Sequence, residues 1–326
     1  MILSFAGRLL CVAAVMTGLI HLVFEGFLWS TAPFVLRRSE ALPARLRERL
    51  LYTLQLVPVM AALFLTAVVC IPQYIRGENN HDAEGVGWMC VAGAGAVAIW
   101  YGSTLVRGLL VAARTLLFAR SCRRASNAVS FLRAGTPILS YPGRSYGVVL
   151  VGLFRPFILI SESLLGEGGL SRNAIEIVLD HEASHARHRD NWKLFSLFCI
   201  PTLRLRLRNG RTWTEMWRGA AEWAADDDAV RGDIARVLVL AETLVAVARR
   251  GSQEPLRVCM ALECDQADLV ARVDRLIERP TFASAPDSWG AVSGVTVGVV
   301  GLVAATIVLM LSSPELLERL LHLGQA

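Results

Sequence analysis

Apolar residues in this chain gather into long runs, and four runs are long enough to cross a hydrocarbon core: about Leu9–Leu28, Leu51–Ile75, Val86–Val106 and Gly290–Leu311. The last three carry no charged residue. The first contains His21 and Glu25, one helical turn apart. It lacks a small-residue cleavage site, and Leu10 precedes Cys11 where a lipoprotein leader wants a small residue, so it reads as a span. Between the third and fourth runs the pattern changes. Thr136–Ser161 is rich in Val, Ile and Leu and broken by Pro142-Gly143 and Pro156, which predicts short strands including an edge strand. A helix is expected from about Ala174 to Arg189, capped by Ser171 and buried along Ala174, Ile175, Val178 and Leu179. Further helical stretches run from about Thr214 to Val230, Ile234 to Arg250 and Gln266 to Ile277, whereas Trp192–Leu203 is apolar but too short to span. The fold class this predicts is a mostly α membrane protein with four transmembrane helices and a cytoplasmic α+β domain inserted between the third and fourth. The expected division is a membrane domain at 1–113, the inserted domain at 114–288, and a last span with a short tail at 289–326.

Composition agrees with that pattern, since 54% of the residues are hydrophobic and only 19% charged. Arginine placement sets the orientation. Arg37, Arg38, Arg45, Arg47 and Arg49 crowd the segment Ser30–Leu50, which should be cytoplasmic, while Arg76 stands against Glu78, Asp82 and Glu84 in the next loop. Alternation then puts residues 107–288 in the cytoplasm and both termini outside, and Arg107, Arg114, Arg120, Arg123 and Arg124 agree. The expected location is a cell membrane. No Cys-x-x-Cys pair occurs, so the cysteines read as buried thiols of a reduced compartment. Arg204, Arg206, Arg208 and Arg211 suggest contact with anionic headgroups of the lipid bilayer, with a nucleic-acid patch as the alternative. The net charge of +5 needs no nucleic-acid partner. An edge strand in the 136–161 region could take an extended substrate by strand addition, or the sheet could be purely structural.

The candidate chemistry lies in His181-Glu182-Ala183-Ser184-His185. On a helix, positions i and i+4 share a face, so both imidazoles can meet one metal while Glu182 flanks an open coordination position as general base. A third protein ligand must come from elsewhere. Glu222 and Asp226, again i and i+4, lie on the next predicted helix: Glu222 can reach the metal, and Asp226 can accept a hydrogen bond from the far nitrogen of a bound histidine. Such a pair is also common on solvated helix faces. The chemistry implied is peptide hydrolysis with one zinc ion, in which Glu182 takes a proton from water and returns it to the leaving amine. His188 lies off the line of the ligand pair and reads as structural. Arg231, Arg236 and Arg272 are conceivable oxyanion donors, none of them favoured.

His181–His185, the trailing Arg187, His188, Arg189 and Asp190, and Glu222-x-x-Ala-Asp226 resemble the membrane metallopeptidases of the BlaR/MecR family, which are gluzincin-type. The stretch Val148–Ile160 (VVLVGLFRPFILI) and Ser163-Leu164-Leu165 are similar to what precedes the zinc helix there. The resemblance implies zinc ligands His181, His185 and Glu222, base Glu182 and histidine partner Asp226. It also implies a protein substrate, either a dimeric BlaI/MecI-like repressor or the protease itself, and allows a homo-oligomer. Ser312–Ala326 is too short for the extracellular penicillin-binding domain of the family's sensor members, so a sensorless relative is expected. The more distant HtpX and CAAX-protease family shares the motifs and suggests membrane-protein quality control. A third possibility is a non-catalytic receptor with structural zinc, against which Glu182 argues.

Overall fold

The computed structural model describes residues 3–77, 86–133, 135–142, 147–166, 169–203, 205–207, 210–249 and 266–278, with Gly301 and Ala305 as isolated positions. The expected fourth span Gly290–Leu311, the tail Ser312–Ala326, Arg204, Arg208, Cys259 and Cys264 fall outside these residues apart from those two positions. The described chain is mostly helical with one small sheet.

Three helical stretches are long and apolar enough to cross a membrane: Phe5–Ser39, Ala44–Arg76 and Trp88–Ala125. The first is α1. The second comprises α2 (Ala44–Leu65), a π turn at Thr66–Cys70 and α3 (Ile71–Gly77), and the third is α4. The π turn sits just before Pro72, whose missing N–H cannot feed an ordinary helical ladder. Two sequence boundaries need correction. The segment Ser30–Leu50 is not an open loop, because α1 continues to Ser39 and α2 begins at Ala44, leaving only a tight turn at 40–43. Arg37 and Arg38 complement the C-terminal end of α1 there. Likewise α4 does not stop at Val106 but runs on through Arg107, Arg114 and Arg120 to Ala125. At about 1.5 Å per residue its 38 residues reach about 57 Å, nearly twice a hydrocarbon core. Polar residues end a span but need not end a helix, which is why hydropathy misplaced both ends. Most of α4 is exposed and apolar, including Ile99, Leu105, Leu109 and Leu117, which suits lipid contact.

The sheet comprises β1 (Asn127–Arg133), β2 (Thr136–Tyr141), β3 (Val148–Val151) and β4 (Phe157–Ser161) in the order β1-β2-β4-β3. β1 precedes the stretch from which strands were expected. β2 and β4 are parallel, and β3 pairs antiparallel with β4 in the register Val149↔Leu159, so β3 is an edge strand. Pro137 lies on the inner strand β2, opposite Leu132 of β1 but before the pairing with β4, which begins at Ile138. After the short helix α5 (Glu162–Leu165) come α6 (Arg172–His188), α7 (Asp190–Cys199), α8 (Trp213–Val230), α9 (Ile234–Arg249) and α10 (Gln266–Glu278).

α6 starts where Ser171 accepts from the Ala174 N–H at 3.2 Å, and α8 starts in a capping box between Thr212 and Glu215. One face of α8 carries Ala220, Ala221, Ala224, Ala225 and Ala229, all buried, and lets neighbouring helices approach closely. A single apolar cluster contains Leu51 of α2, Leu194 and Leu197 of α7 and Trp217 of α8, so the second spanning stretch is built into the core that supports α8. Gly108 of α4 lies against Cys199 of α7, where a Cβ would collide with the cysteine Sγ.

Candidate metal centre

α6 and α8 cross so that His181, His185 and Glu222 bring ligand-type atoms within 4.8 Å of one another, all three buried. The Nε2 atoms of the two histidines are 3.2 Å apart. Glu222 places Oε2 3.3 Å from His181 Nε2 and Oε1 3.6 Å from His185 Nε2. Both rings are held from behind. Asp226 Oδ1 lies 3.0 Å from His181 Nδ1, and Asp190 Oδ2 lies 2.7 Å from His185 Nδ1. Carboxylates at Nδ1 fix the tautomer and turn both Nε2 lone pairs toward the common centre.

Asp190 reaches that position because Arg189 ends α6 in the left-handed region, φ 56°, and the chain turns at once into α7. In the sequence Asp190 stands only within the family motif, with no task of its own. Its signal was present as an acid immediately past the end of the histidine helix. Arg272 of α10 is the other unassigned member. It donates from Nε and Nη2 to the two Asp226 oxygens at 2.8 and 2.6 Å, and its Nη1 is 2.9 Å from Glu222 Oε2. Arg272 thus faces the carboxylates rather than open solvent. Arg236 instead binds Asp180 at 2.6 Å and the Ala229 carbonyl, and Arg231 lies 3.3 Å from Asp180, both pairs outside the histidine cluster. His188 turns away and faces Asp228 at 3.3 Å.

Electrostatics favour a cation at the centre. Burial opposes the charged imidazole, but Asp226 and Glu222 overcome it and hold His181 up at about 10. Burial likewise opposes ionised Glu222, yet Arg272 and the two histidines bring it down to about 2. Asp226 is held well below the usual carboxylate range despite burial, with Arg272 as its strongest partner. Two imidazole nitrogens and a carboxylate oxygen, converging in a field that prefers positive charge, suit a tetrahedral divalent ion with one position left for another ligand. Burial raises the Glu182 carboxyl of α6, against the pull of His181 and His185 nearby and of the Leu150 N–H on β3 that faces it.

β3 lies directly against this helix. Two carbonyls at the end of its open edge are engaged: Asn191 Nδ2 of α7 donates to Leu150 O at 3.2 Å and to Gly152 O, just past β3, at 3.0 Å. Asn191, Leu150, Gly152, Trp192 and His185 line one open cavity of about 460 Å³ beside the site. His21 Nδ1 is 2.6 Å from the Tyr101 hydroxyl, and Glu25 accepts from the Leu203 N–H at 2.7 Å. Of the arginine stripe, Arg206 donates to the Gly210 carbonyl at 2.9 Å. No model of a known protein family matches this chain, and no curated protein matches it.

Proposed function

We propose that this chain is an integral membrane zinc endopeptidase of the BlaR/MecR type, with Glu182 as its general base. The single observation that carries the proposal is the convergence of His181, His185 and Glu222, with a carboxylate behind each ring and Glu182 on the same helix. A structural metal site needs four protein ligands and no adjacent acid; among the described residues this arrangement offers three and an acid. Zinc bound there would supply Lewis acidity toward a water and a peptide carbonyl. Glu182 takes the proton from the attacking water at its carboxylate and passes it to the leaving nitrogen, and the raised affinity of its buried carboxyl for a proton suits that exchange. Asp190 and Asp226 keep the imidazoles oriented, while Arg272 holds Glu222 ionised.

The full architecture we propose adds a fourth span near Gly290–Leu311 and a cytoplasm-facing catalytic domain between the third and fourth spans. The substrate we propose is a cytoplasmic protein, by family resemblance a BlaI/MecI-like repressor or the chain itself.

The deciding experiment purifies the wild type beside Glu182→Gln and Glu222→Ala, measures zinc by elemental analysis, and follows a co-expressed candidate repressor on a gel. Stoichiometric zinc in the wild type, lost with Glu222→Ala, and zinc without cleavage in Glu182→Gln are expected. Zinc that survives Glu222→Ala removes the ligand assignment. Cleavage that survives Glu182→Gln removes the base.

A further inference from the structure

We propose that Glu48, on the second candidate spanning helix, is a positioning residue for the metal ligand His185, acting through Lys193 and Asp190. The inference rests on the metal-site reading above and extends it into the membrane domain. Glu48 lies in the second turn of α2 and has no solvent exposure. Its Oε1 accepts from Lys193 Nζ at 2.9 Å. The same ammonium donates to Asp190 Oδ1 at 3.0 Å, and the other oxygen of Asp190 is the one that meets His185 Nδ1 at 2.7 Å. Four side chains from three helices therefore form one continuous line of charge-assisted contacts, from a spanning helix to the ring of a proposed ligand.

Glu48 also holds the opposite arm of the site. Trp217 Nε1 donates to Glu48 Oε1 at 2.9 Å, and Trp217 is a fully buried residue of α8, the helix that carries Glu222. One carboxylate oxygen thus ties α7, whose Asp190 holds the His185 ring of α6, to α8, which carries Glu222. A core contact would have served adhesion alone. Burying a full charge to make this contact is costly unless it is paired, and the pairing found here runs toward the metal centre rather than toward solvent. Arg45, one turn earlier on α2, adds a parallel link: its Nη2 donates to Ser184 Oγ at 2.9 Å and to Asp228 at 2.8 Å, and Ser184 immediately precedes His185. A displacement of α2 is therefore transmitted to the ligand helix.

The test uses the full-length protein in detergent with cobalt(II) as the metal, because its visible absorption bands report ligand geometry independently of any substrate. Glu48→Gln and Lys193→Met are expected to weaken cobalt binding about ten-fold or more and to shift the bands. The double variant should lose no more than the worse single one, since both break the same line. Gln55→Met is the control: Gln55 also ties α2 to α8, accepting from Thr214 at 3.0 Å, but does not lead to the metal centre. It should lower the melting temperature and leave the bands in place. Wild-type bands and affinity in Glu48→Gln, with only a lower melting temperature, overturn this proposal and leave the metal site standing. A wild type that binds no cobalt overturns the metal reading itself, and this proposal with it.

Discussion

His185 and His181 each have a carboxylate behind the ring, but the two acids belong to different elements, Asp190 to α7 and Asp226 to α8. Removing either leaves the donor nitrogens in place while freeing the ring to rotate. Asp190→Asn and Asp226→Asn should each cost about 10- to 100-fold in metal affinity or activity, measured by titration against a competing chelator. Arg272→Ala should damage the site more broadly, because it removes the guanidinium that Glu222 and Asp226, both buried, share. Equal metal affinity in Arg272→Ala and wild type would contradict that role. The residues legible in the sequence were those related by helical periodicity: His181 to His185, Glu222 to Asp226. Asp190, Arg272, Lys193 and Glu48 act across elements, and no spacing rule connects an acid in a spanning helix to a histidine so far along the chain. Arg272 is indistinguishable from Arg231 and Arg236 in the sequence, since charge alone does not show which arginine faces a buried carboxylate.

At the level of elements, α6, α8 and α2 meet around Asp228. Its Oδ2 accepts from Ser184 of α6 at 2.6 Å and from Arg45 of α2 at 2.8 Å. Burial works against its ionisation, but these donors, with His188 nearby, leave its carboxyl below the ordinary value. A depressed folded value means that its stabilising contribution is complete above the unfolded value, about 3.9, and disappears as pH falls through the folded one. Asp228→Asn should therefore lower the melting temperature near neutrality and flatten its acid dependence in that window. A parallel downward shift at every pH would assign the loss to shape rather than charge. The capping box at Thr212 offers a simpler test, with Thr212→Ala expected to cost about 1 kcal/mol by thermal unfolding. Element positions were well read from the pattern where caps punctuate them, as at Ser171 and Thr212. Boundaries drawn by hydropathy at Ser30 and Val106 failed because α1 and α4 stay helical as they leave the apolar zone.

On the scale of the molecule, the described residues form one connected body in which α2 belongs to both halves. Leu51 packs with Leu194 and Trp217, and Gln55 meets Thr214. Removing residues 1–77 should leave a remainder that does not fold stably in isolation, judged by circular dichroism and protease resistance. A compact, zinc-binding fragment would refute this. Metal and stability should also be linked: a ligand at 100 times its dissociation constant adds about 2.7 kcal/mol to the folded state, so chelation should lower the melting temperature and zinc should restore it. The mostly helical, membrane-type character was visible in the long apolar runs, and so was a small sheet before the histidine helix. The sharing of α2 between halves was not, because a spanning run shows its length and hydropathy but not which face meets protein. Asn191 extends this picture to the substrate. On the proposed function, a peptide that adds to β3 competes at Leu150 O and Gly152 O with an amide the chain itself supplies. Asn191 then behaves as a tethered competitor at constant local concentration, and only segments that offer further contacts beyond the backbone will outbind it. A protease facing the proteins of its own compartment gains selectivity from that competition before any bond is cut.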